Sequence, residues 1–79
     1  MFHFGPAIKL LRKERSLTLQ ALEDLSGIPR GTINSYELEN RNPSGANLGK
    51  IAKALDIPIG VIYYLAEQEY KKGGSTETS

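Results

Sequence analysis

Arg30, Gly31, Thr32, Asn34 and Ser35 crowd hydrogen-bond donors, acceptors and a bare backbone into one short stretch. They follow Gly27, a residue suited to a tight joint between two helices, and Leu22, Ile28, Ile33 and Tyr36 could anchor both sides of that joint. A helix-turn-helix needs this combination: a tight turn, apolar anchors, and a second helix free to enter a DNA groove. A plain αα-hairpin in a bundle uses the same glycine and the same apolar spacing, so pattern alone leaves both readings open. Catalysis fits poorly. The carboxylates are scattered, the single histidine, His3, lies near the N-terminus, and the tyrosines lack a pocket-forming spacing. The absence of cysteine excludes disulfides, thiolate zinc sites and a cysteine nucleophile, and one histidine gives a metal little to bind. Neither a cofactor nor a small-molecule ligand is expected.

The elements that must position these residues are short helices. A chain of 79 residues is expected to form one compact unit, burying roughly 60% of the surface its unfolded form exposes. With 39% hydrophobic and 24% charged residues it has globular composition. Lysine and arginine total 10 against 9 acidic residues, so the net charge of +1 makes no global case for a polyanionic partner. Punctuation predicts helices over about 6–15, 18–26, 30–38, 45–55 and 58–71. Pro6 suits a first turn, Thr18 and Ser44 suit N-caps, and Gly27 suits a helix end. Phe4, Ile8, Leu11 and Arg15 share one face of the first helix, and Leu48, Ile51, Ala52 and Leu55 one face of the fourth. The fifth is expected to run through Val61, Ile62 and Leu65. The expectation is an all-α domain over 1–72 and a disordered Gly/Ser/Thr-rich tail over 73–79. No apolar run approaches the ~20 residues of a membrane span, and no targeting segment is evident, so a soluble, cytoplasmic protein without a membrane partner is expected.

The run Leu11 to Thr18, then Leu22, Ser26-Gly27-Ile28, Arg30, Thr32-Ile33, Tyr36-Glu37, Arg41-Asn42-Pro43-Ser44 and Ile51 to Leu55 resembles the phage repressor and Cro-type (lambda-repressor-like) helix-turn-helix family. The likeness is ungapped over about 4–65, and several separate motifs in register are more specific than one glycine-centred turn. It implies a compact five-helix fold with the third helix in the major groove of double-stranded DNA. In such proteins the first residues of that helix touch base edges, which here points to Arg30, Gly31, Asn34 and Ser35. Arginine matches O6 and N7 of guanine, and asparagine the donor–acceptor edge of adenine. Phosphate contacts are implied for Thr18, Gln20, Thr32, Asn40, Arg41 and Asn42; a helix N-terminus and a polar loop suit that task. Leu19 stands where the family usually carries glutamine, with Gln20 one residue later. Glu23 replaces a usual small residue and needs a wider helix crossing or a partner, Arg30 being the nearest in sequence. Gly45 replaces a usual apolar residue. Arg12 and Glu37 match an ion pair joining the first helix to the end of the third.

A single small reader offers few contacts, which predicts a homodimer through the last helix at Ile62, Tyr63 and Leu65. The function expected is transcriptional regulation, as a repressor acting by operator occupancy. Restriction–modification controllers and antitoxins share such reading modules, and a protein-interaction module is a further alternative. Heparin retention and its salt dependence separate that last class from a DNA binder.

Overall fold

A computed structural model describes residues 3–39 and 41–75, with side chains up to position 68. The architecture is all-α: α1 (Phe4–Glu14), α2 (Leu19–Ser26), α3 (Arg30–Glu39), α4 (Gly45–Ala54) and α5 (Ile59–Ser75). Both expected hydroxyl caps are in place. Thr18 Oγ1 accepts from the Ala21 N–H at 3.0 Å, and Ser44 Oγ accepts from the Asn47 N–H at 3.1 Å. Each satisfies one of the orphan donors that open a helix.

α1 starts at Phe4, ahead of Pro6, because tertiary contacts recruit the preceding residues. The Phe4 ring meets Tyr63 edge-on at 5.4 Å. Gly5 lies against the backbone of Tyr36 and Glu37, leaving no space for a Cβ. Pro6 still sits in the first turn, where its missing N–H costs nothing. At the other end, α5 continues beyond position 71 to Ser75, so the first residues of the expected tail are helical. Positions 76–79 lie outside the described residues, as does Asn40.

α1 packs on α3 and α5, α2 on α3 and α4, and α4 on α5. Ile8, Leu22, Ile33, Leu48, Ile51, Leu55 and Ile62 are fully buried where these helices meet. Val61 is exposed. Ile62 and Ala66, one turn apart, define the inner stripe of α5, and Val61 lies about 100° round the helix from Ile62. Three helices end on a left-handed residue: Ser16 (φ 55°), Gly27 (φ 78°) and Asp56 (φ 58°). After Ser16 and Asp56 the chain closes back, Leu17 N–H onto Arg12 O and Ile57 N–H onto Ala52 O, both at 3.0 Å. Among the described residues no helix is long and apolar enough to cross a membrane.

Candidate nucleic-acid interface

The geometry is fixed at the turn between α2 and α3. Gly27 adopts the left-handed conformation and donates its N–H to Glu23 O at 2.8 Å. The next N–H, of Ile28, is taken by Ser26 Oγ at 3.1 Å, while the Ile28 side chain is buried. Pro29 cannot continue α2, and its carbonyl accepts the N–H groups of Thr32 and Ile33 to start α3. Ile33 and Tyr36 then hold α3 to the core. The same rotation leaves Arg30, Gly31 and Asn34 exposed, with Thr32 and Ser35 half-buried at the margin. Arg30 and Asn34 are one helical turn apart, as are Gly31 and Ser35, so the four share a face. Ser35 Oγ donates to Gly31 O at 3.1 Å and keeps its lone pairs available.

An open groove runs beside this face, lined by Pro29, Gly31, Thr32, Ser35, Tyr36, Arg41 and Asn42. It brings two residues expected at base edges, Gly31 and Ser35, together with three expected at phosphate, Thr32, Arg41 and Asn42. Asn40, also expected at phosphate, lies outside the described residues. Thr18 is exposed at the N-terminus of α2, where its hydroxyl caps the helix. Gln20 is already engaged: Arg30 Nη1 donates to its Oε1 at 2.7 Å, and its Nε2 donates to Asp24 Oδ1 at 3.0 Å. Arg30 therefore pairs with Gln20 rather than with Glu23, which is half-buried.

Behind the groove, polar ties fix the pose of α3. Arg12 Nε and Nη2 donate to the two Glu37 carboxylate oxygens, each at 2.9 Å, and Nη1 donates to Leu17 O at 2.7 Å. One guanidinium thus joins α1, α3 and the α1–α2 joint, with the two side chains only 10% and 3% exposed. The hydrogen bond to Glu37 holds the guanidinium above its ordinary pKa; burial opposes this and the carboxylate's charge adds to it. Asn47 Nδ2 donates to the Tyr36 hydroxyl at 2.8 Å, linking α3 to α4. Arg15 Nε donates to Leu55 O at 2.7 Å, closing the end of α4. Neither link was expected from the sequence, because each partner is identified only by packing. The Gln20–Asp24 pair did carry a readable signal, an i, i+4 amide–carboxylate spacing on one helix.

The expected dimer residues scatter. Ile62 is 0% exposed and belongs to the protomer's own core, so it offers nothing to a partner. Tyr63 is partly covered by Phe4, and Leu65 is half-buried. Val61 and Tyr64 are exposed, and with Leu65 they fall at i, i+3 and i+4 in one outer stripe.

Residues 8–62 match the sequence model of the helix-turn-helix family. The chain is 35% identical over 69 residues to the competence pilus inhibition repressor of Acinetobacter baylyi, covering 87% of this chain and 63% of that protein. It is 37% identical over 67 residues to the HTH-type transcriptional repressor RghR of Bacillus subtilis, covering 84% and 50%. The chain therefore spans between half and two thirds of the length of these two repressors. Among solved structures, the restriction–modification controller protein C.AhdI of Aeromonas hydrophila superposes with a TM-score of 0.72 at 34% identity, covering 77% of this chain and 92% of that one.

Proposed function

The chain belongs to the helix-turn-helix family, and from that membership we propose that it reads a specific double-stranded DNA site and regulates transcription by occupying it. The observation that carries this reading is the exposed face of α3. Arg30, Gly31, Asn34 and Ser35 stand together beside a groove that also holds Thr32, Arg41 and Asn42. Donors and acceptors on that face suit base edges, whereas a cation and amides at its rim suit phosphate. The N-terminus of α2, with Thr18, supplies a further phosphate anchor. No step needs a cofactor, since occupancy alone blocks a promoter. Kinship with phage repressor and Cro-type readers is the narrower form of this proposal, supported by their motifs lying in register along the chain. Such a regulator would act in the cytoplasm.

A symmetric dimer completes the proposal, with its seam on the outer stripe of α5 at Val61, Tyr64 and Leu65 and with Tyr63 beside it. Two α3 helices about 34–36 Å apart would then enter successive major grooves on one DNA face. Likeness to a restriction–modification controller supports a second role for the same reader, control of a restriction–modification gene set. Selection from a random DNA pool tests the whole reading. An enriched palindrome with one-turn half-site spacing is expected; no enrichment over the starting pool would overturn it.

A further inference from the structure

Three exposed side chains form a connected chain across the turn between α2 and α3. Gln20 Nε2 donates to Asp24 Oδ1 at 3.0 Å, and Arg30 Nη1 donates to Gln20 Oε1 at 2.7 Å. An amide has one accepting end and one donating end, and an ionised carboxylate only accepts. Asp24 therefore takes the NH2 end of Gln20 and leaves its oxygen to face Arg30. Turned the other way, the amide would set donor against donor and repel the guanidinium. The carboxylate and the guanidinium thus select the same amide orientation, and Asp24 reinforces the hold on Arg30.

We propose that Gln20 and Asp24 are positioning residues that set the base preference of Arg30, by holding its guanidinium through Nη1 before DNA arrives. This rests on the reading of α3 as the DNA-facing helix. With Nη1 held, the Nε–Nη2 edge stays open as a two-donor fork, the pattern that meets O6 and N7 of guanine. A neutral partner matters. An amide oxygen restrains the guanidinium without cancelling its charge, whereas a carboxylate at position 20 would compete with the DNA for it. Asp24 lies one turn after Gln20 on the same helix, so the orienting contact forms within α2 itself. Arg30 stands across the turn, which the left-handed Gly27 holds in a fixed geometry. The assignment also gives Gln20 a role other than the expected phosphate contact. Hydrogen bonds in water bias a side chain rather than lock it. Ordering one long side chain in advance is worth about 2- to 10-fold in binding.

The test uses the full chain, the selected operator and the three other base pairs at the position that Arg30 reads. Titrations compare the native protein with Gln20→Ala, Asp24→Asn, Gln20→Glu and Arg30→Ala. Arg30→Ala should abolish the preference for guanine. Gln20→Ala and Asp24→Asn should each reduce that preference about 2- to 10-fold with the salt slope unchanged, the preference being the affinity ratio between duplexes, in which the charge lost in Asp24→Asn cancels. Gln20→Glu should weaken operator binding further, because its charge captures Arg30. Thermal midpoints should match the native value, since all three side chains are exposed. If Arg30→Ala loses discrimination while Gln20→Ala and Asp24→Asn keep it, the positioning role is overturned and the DNA-reading assignment stands. If Arg30→Ala itself keeps discrimination, the assignment fails and takes the positioning role with it.

Discussion

Arg30 and Asn34 on α3 and Arg41 in the loop after it are proposed to do different work on DNA. Arg30 and Asn34 lie on the first two turns of α3, whereas Arg41 lies in the loop beyond it, at the groove rim. Arg30→Ala and Asn34→Ala should each lose about 1–3 kcal/mol on the operator and relax preference at particular base pairs. Arg41→Ala should weaken operator and random DNA alike, flattening the salt slope by about one unit. Titrations against both duplexes at several salt concentrations distinguish the two patterns. The buried Arg12–Glu37 pair belongs to stability instead. Arg12→Ala strands a carboxylate that is 3% exposed, and the expected cost is about 3–5 kcal/mol. An unchanged denaturation midpoint would contradict that. Its pH dependence has a definite sign. A cation held above its ordinary pKa stabilises fully below the unfolded value and loses that contribution only as pH climbs past it. The Arg12 contribution should therefore persist through the whole range in which lysines titrate, near 10.4. At this scale the sequence disclosed residue types and the exposed face of α3. It did not disclose that Arg30 reaches Gln20 rather than Glu23, because choosing between two residues on adjacent turns of α2 requires the actual crossing of α2 and α3.

Helices and their ends were the more legible layer. Thr18, Gly27 and Ser44 act at element boundaries through local chemistry alone, and that chemistry is written in residue type. The start of α1 was not legible, since Phe4 and Gly5 become helical through contacts with α5 and α3, far away in sequence. Val61 and Ile62 show the same limit. Adjacent apolar residues on a helix point about 100° apart, and only the neighbouring helices decide whether both are covered, as Ala7 and Ile8 are, or one alone. The left-handed ends give a graded test. Gly27→Ala meets no steric neighbour, so its cost is conformational alone, about 1–2 kcal/mol. Ser16→Gly should move stability the other way by about 0.5–1 kcal/mol, and Asp56→Gly by less, because aspartate tolerates this region. Gly5→Ala drives a methyl group into the backbone of α3 and should cost about 1–3 kcal/mol. Thermal denaturation resolves all four, as 1 kcal/mol shifts the midpoint of so small a domain by about 4–8 °C.

For the whole molecule, the outer stripe of α5 sets a separate expectation. A Val61→Glu, Tyr64→Glu double variant should keep its fold, because both side chains are exposed in the protomer. It should sediment as a monomer and lose about 100-fold or more in operator affinity, since two linked readers bind far more tightly than one. A dimer that survives both charges would place the seam elsewhere. A different consequence follows from the way α3 is divided. Ile33, Tyr36 and Glu37 fasten it to the rest of the protein, Arg30 adds one exposed hydrogen bond to Gln20, and Gly31, Asn34 and Ser35 leave that fastening to the others. Gly31 even has open space where a side chain would stand, and Gly31→Ala should add up to about 1 kcal/mol of helix stability. Under the proposed reading, mutation can therefore explore new target sequences at these positions without approaching the threshold at which the domain unfolds. On that reading, a lineage carrying this scaffold could exchange one operator for another by a few surface substitutions, its descendants diverging in the genes they govern while inheriting the same core.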